Sequence, residues 1–184
     1  MVDRLQGMPR RISFTHSWRK PCYIVRVGDT TVPIYRPLLV SVGFRDQFQF
    51  QLPGGDEVVV TIDSRPSIAI YVNDNVVATI TPVLATSGIQ FGLETYPLQV
   101  ATVVATVGIG EERWPLICSV YGGIASNNFR ILNRCGSRMC FWKKTGGWGT
   151  GNATLVVSQR VHSSFLPIAI SATLVSLFDT PSAI

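Results

Sequence analysis

The sequence predicts a mainly β protein, an antiparallel β-barrel or sandwich of repeated hairpins with one buried hydrophobic helix at its C-terminal end. Three observations predict it. Alternating and β-branched runs bounded by Gly, Asn, Asp and Pro recur along the chain. Two hairpin-like units, beginning at Ile68 and Phe129, lie 61 residues apart. A stretch of fourteen residues without a charge, Phe165 to Phe178, follows the last strand pattern.

Taken in order, Tyr23 to Val27, the turn Gly28-Asp29 and Thr31 to Tyr35 read as a strand, a tight turn and an edge strand interrupted by Pro33. Phe44, Phe48, Phe50 and Leu52 share one parity around Asp46, Gln47, Gln49 and Gln51, the pattern of a half-buried strand. Pro53-Gly54-Gly55-Asp56 turns the chain into a strand at Val58 to Ile62. The clearest hairpin is Ile68 to Val72, Asn73-Asp74-Asn75, then Val76 to Ile80, because Asn and Asp tolerate the positive φ of a tight loop. Val100 to Val107 and Leu116 to Tyr121 are apolar strands. Phe129 to Asn133 and Arg138 to Trp142 form the second unit about a turn at Arg134 to Ser137, and Gly28-Asp29 marks a third, weaker copy. Gly146 to Asn152 is a flexible connection to a strand at Ala153 to Val157.

The terminal stretch reads as a helix over about 164–178. Ser163 or Ser164 can cap it and Pro167 suits its first turn. Its polar residues Ser171, Thr173 and Ser176 are small and share no face, so such a helix is buried nearly all round. At fourteen residues it is about 21 Å long, short of the ~30 Å a bilayer requires. A buried strand competes, since Ile168, Ile170, Ala172 and Leu174 also alternate.

Composition narrows the class. With 184 residues, 46% hydrophobic and 15% charged, the chain is large enough for a substantial core and too apolar for global disorder. No run of 18 apolar residues suggests a conventional membrane-spanning helix, and no long apolar segment follows the basic start as in a secretory signal.

The net charge of +5 is unevenly placed. Residues 1–26 hold Arg4, Arg10, Arg11, Arg19, Lys20 and Arg26 against Asp3 alone, so the remainder is neutral. This divides the chain into a basic N-terminal arm, 1–26, and a β-rich domain, 27–184. The arm also carries Ile12, Phe14 and Trp18, and could therefore dock by packing as well as charge. Its Arg-rich, acid-poor composition suits a retained organelle-targeting segment as well. A second basic cluster comprises Arg130, Arg134, Arg138, Lys143 and Lys144, with no acid between Arg113 and Asp179. Acidic residues gather at Asp56, Glu57, Asp63 and Asp74 and at Glu111 and Glu112, which predicts a positive and a negative side.

Reactive constellations are weak. Cys135 and Cys140 flank a turn with C-x4-C spacing, short of the paired close ligands of structural zinc, and the four cysteines read as reduced thiols. His162-Ser163-Ser164 reads as a helix start rather than part of a triad, and Glu111-Glu112 as a solvated turn. The glycines at 146–151 lack a following Gly-Lys-Ser/Thr and helix, so they do not make a phosphate loop. Trp142 and Trp148 bracket Lys143 and Lys144, a combination seen in single-strand nucleic-acid sites and at membrane interfaces, although strand-end packing is the plainer reading.

The hairpins Ile68 to Ile80 and Phe129 to Trp142, with Ala153 to Val157 followed by Phe165 to Asp179, an apolar helix with an acidic residue at its end, resemble the tubby-like group that includes phospholipid scramblases and plant LURP-one-related proteins. That resemblance implies a closed antiparallel barrel around a hydrophobic C-terminal helix. It also implies contact with anionic lipid, phosphoinositides among them, for which Arg130, Arg134, Arg138, Lys143 and Lys144 are the candidate patch. No calcium-binding acidic segment or palmitoylation-style cysteine cluster accompanies the match, so scramblase activity is not carried over.

The functional expectation is a non-catalytic structural or accessory subunit of a larger assembly, in a mitochondrial or otherwise membrane-associated complex. It docks on other protein subunits through Arg10, Arg11, Ile12, Phe14, Trp18, Arg19 and Lys20. No cofactor, metal or small-molecule substrate is implied. The alternatives are a lipid-binding module, a viral jelly-roll capsid protein and an RNA-bound, ribosomal-type protein, with nucleic acid ranked below protein and lipid.

Overall fold

A computed structural model describes residues 10–17, 23–35, 46–62, 68–82, 100–120, 127–145 and 151–178. Twelve strands form one antiparallel sheet: β1 (Arg10–His16), β2 (Tyr23–Val27), β3 (Thr30–Ile34), β4 (Asp46–Gln51), β5 (Glu57–Ile62), β6 (Ile68–Val72), β7 (Asn75–Pro82), β8 (Val100–Ile109), β9 (Glu112–Val120), β10 (Asn127–Leu132), β11 (Arg138–Thr145) and β12 (Asn152–Val157). A short 3-10 turn, Ser163–Phe165, leads into α1 (Leu166–Phe178). The expected architecture of repeated hairpins and a terminal helix is the one observed.

Sheet order follows chain order with one exception. β12 returns to pair with β1, placing β3 and β4 at the two ends of the sheet. Among the described residues these ends meet through one backbone pair, Tyr35 with Gln49, whose N–H···O distances are 3.2 and 3.1 Å. The sheet thus curls into a nearly closed barrel. This meander lacks the Greek-key crossings of a jelly roll, so the capsid architecture considered from sequence does not describe this chain.

The tight turns use the residues their geometry demands. Asn73 and Asp74 both adopt positive φ, 48° and 65°, as a two-residue type I′ hairpin requires. Asn73 is held there because its side chain accepts from the Glu57 N–H and donates to Asp56. The repeat is visible in the ladders: β6–β7 shifts register between Ile70 and Tyr71, and β10–β11 shifts between Ile131 and Leu132, 61 residues on.

Alternation sorts the side chains. Ile12, Phe14, Val25, Val32, Phe48, Val60, Ile70, Val107, Ile131, Trp142 and Leu155 point into the barrel and are buried. The helix fills this interior: it packs on β11 and β12 and also on β6 and β7, which lie far apart in the sheet. From Ile168 to Leu174 no residue is more than 3% exposed. Burial on every side explains why helix prevails over the competing strand, which would leave one parity uncovered and has no ladder partner. Among the described residues no helix is long and apolar enough to cross a membrane.

Two expectations about the ends need correction. His162, rather than Ser163 or Ser164, caps the first turn, its ring Nδ1 accepting from the Ser164 N–H at 3.2 Å. The basic arm is not separate from the barrel, because β1 is a full strand between β12 and β2. A boundary at residue 26 therefore cuts through the sheet.

Candidate functional site: a basic outer face

Pairing of β1 with β12 brings the two basic clusters of the sequence together. Arg11 stands opposite Val156, Val156 opposite Phe141, Phe141 opposite Arg130, and Arg130 opposite Ile117. One residue pair along, a second outward row runs Asn128, Lys143, Thr154, Ser13, Arg26 and Thr31. Inward neighbours of these positions are buried apolar side chains, so strand alternation turns both rows to the outside.

The resulting face spans β10, β11, β12, β1, β2 and β3. Arg11, Arg26 and Lys143 are exposed, Arg130 is half-buried, and Arg138 is exposed with its guanidinium 4.6 Å from the Phe141 ring centroid. Neighbouring strands are ~4.8 Å apart, so Arg130 to Arg11, and Lys143 to Arg26, are each about 14 Å apart along their rows. Ser13, Thr31 and Thr154 set exposed hydroxyls between the cations. Guanidinium forks and hydroxyl donors in this arrangement match phosphate oxygens. Ile24, 37% exposed, and its cross-strand neighbour Pro33 add apolar surface at one margin.

Arg130 carries an unusual burden. Its Nε is buried among outward neighbours and has no hydrogen-bond partner in the structure. Described carboxylates lie elsewhere: Asp56, Glu57, Asp74, Glu111 and Glu112 belong to β4–β9 and their turns, and Asp29 sits in the β2–β3 turn.

The predicted patch residues separate. Arg130, Arg138 and Lys143 share the outer face. Arg134 sits in the exposed β10–β11 turn, with Nη1 3.6 Å from Glu112 Oε1. Lys144 has the inward parity, and its Nζ lies 5.4 Å from the Phe129 ring centroid. Of the predicted docking residues, Ile12 and Phe14 are 0% and 1% exposed and form core, a correction forced by strand alternation. They cannot meet a partner. Arg10 and Arg11 are exposed, and Trp18, Arg19 and Lys20 lie outside the described residues. Sequence reading missed Arg26, Ser13, Thr31 and Thr154 as one site. The available signal was their common outward parity, but joining them required the β1–β12 pairing.

Cys140 is buried opposite Ile131, and burial pushes its thiol up to about 12. Cys118 is also raised by burial, partly offset by the Lys144 charge. Cys135 is an exposed free thiol and is not bonded to Cys140. Trp142 is 0% exposed, so its indole cannot stack on a base, and Trp148 lies outside the described residues. Among the described residues no group of three or more His, Cys, Asp or Glu could hold a metal. No family model, curated protein or solved structure matches this chain.

Proposed function

We propose that this chain is a non-catalytic β-barrel that serves as an accessory unit of a larger assembly and rests on an anionic membrane surface through its basic outer face. The single observation that carries the reading is the β1–β12 ladder, which unites Arg11 and Arg26 with Arg130, Arg138 and Lys143. The resemblance to the tubby-like group points the same way. A basic side chain near an anionic membrane contributes about 1 kcal/mol, so five give roughly 5 kcal/mol and a Kd of roughly 0.2 mM. Such contact is reversible and suits a subunit that is also held by other proteins.

Flotation with vesicles of phosphatidylcholine alone and of phosphatidylcholine with phosphatidylserine tests the proposal. The protein is expected to float with the anionic vesicles at low salt and to be released as salt screens the contact. Equal flotation with both vesicle types, or none with either, refutes the membrane reading. Migration of the native protein at its monomer mass in a cell extract refutes the assembly reading.

A further inference from the structure

The seam where the barrel closes is incomplete for a specific chemical reason. In β3, Thr30, Val32 and Ile34 turn their backbone groups towards β2, because the two-residue turn at Gly28-Asp29 makes Val27 and Thr30 the first bonded pair. Thr31, Pro33 and Tyr35 therefore turn theirs towards β4. Across the gap, Leu52 bonds with Asp56 on the β5 side, so Gln49 and Gln51 turn their backbones towards β3. Tyr35 and Gln49 pair accordingly. The next pair would be Pro33 with Gln51, and Pro33 has no N–H to give. The ladder stops there.

Beside this stop lies an open cleft of about 600 Å³, lined by Thr31, Val32, Pro33, Gln49, Gln51 and Glu57 among others. Both walls are strand edges. Thr31 offers a donor and an acceptor on one wall, Gln51 a donor and an acceptor on the other, and Pro33 an acceptor. The lining residues Val32, Phe50 and Leu52 are buried in the barrel, and Glu57, which accepts from the Gln49 side-chain amide, supplies the only charge among the lining residues. Asp56 and Asp29 stand in the two turns at the same end.

We propose that this seam accepts an extended segment of a partner protein as an added strand, with a Lys or Arg set over Glu57. Two edges converging on one gap fit a single strand better than a globular surface. The acidic margin fixes the sign of the partner's charge. The seam shares Thr31 and Pro33 with the margin of the basic outer face, but strand addition there uses backbone edges and needs no membrane.

The test uses the full chain and a fluorescein-labelled synthetic peptide of about eight residues, alternating Val with Thr and Lys, a length typical of a strand. Saturable anisotropy is expected. N-methylation of alternate peptide amides on one register removes the ladder bonds and is expected to weaken binding about tenfold or more. Exchange of Lys for Glu in the peptide weakens it too. Pro33→Val restores the missing N–H, lets β3 continue its pairing with Gln51 and closes the seam against the peptide. Thr31→Pro removes an edge donor without touching the β2 ladder, so it weakens binding even if Pro33→Val misfolds. Absence of saturable binding up to about 1 mM overturns the proposal. So does binding that N-methylation and Thr31→Pro leave unchanged.

Discussion

Trp142 on β11 donates its indole N–H to the hydroxyl of Ser176 on α1 at 2.8 Å, and both residues are buried. Ser176 in turn donates to the Thr173 carbonyl at 2.7 Å, and Phe129 stacks on the indole with centroids 5.3 Å apart. This bond fixes the rotation of an otherwise apolar helix inside a smooth apolar wall. Removing its acceptor leaves a buried N–H without a partner, so Ser176→Ala should cost about 1–3 kcal/mol. Urea unfolding of Ser176→Ala, Trp142→Phe and the double variant checks this, with the second change costing less in the double variant than alone.

Placement of β1 in the barrel makes a second prediction. Phe14→Ala should destabilise the protein by about 3–5 kcal/mol, as expected for a large core side chain. Arg11→Ala, on the opposite parity of the same strand, should change stability by no more than about 0.5 kcal/mol. Thermal melts distinguish this from an external docking arm, in which neither change would affect folding.

Thiol chemistry gives a third. Cys135 should alkylate in the native protein, whereas Cys118 and Cys140 should react only after unfolding, as peptide mapping will show. The sign of the pH effect follows from the raised pKa of Cys140. The unfolded chain releases this proton near 9.0 and the folded one near 12. Its stabilising contribution is therefore fully present below pH 9 and declines as pH rises towards 12, at about 1.4 kcal/mol per pH unit. Cys140→Ala should flatten that decline in urea titrations at stepped pH.

Much of the fold was legible because strand parity and turn chemistry are local. Asn73-Asp74, Gly28-Asp29 and the alternation of Phe48 and Phe50 each declare their element within a few residues. The uniform burial of Ile168 to Leu174 followed from small polar residues scattered over all faces. The site was legible only in parts. Arg26 and Lys143 are 117 positions apart in the chain, and no local pattern states that β1 pairs with β12. Ile12 and Phe14 illustrate the same limit: beside arginines they suggest a sticky arm, and only a strand on each side of β1 turns them into core.

The most direct measurement concerns where the charge sits rather than how much there is. Arg26→Glu with Lys143→Glu changes two cations of the outer row, while Arg134→Glu with Arg160→Glu changes the same formal charge at exposed positions off those rows. Binding to phosphatidylserine-containing vesicles should fall about tenfold or more for the first pair and by much less for the second, with both proteins folded by circular dichroism. Equal losses for the two pairs would mean that net charge alone governs binding and would contradict a site built by the β1–β12 ladder.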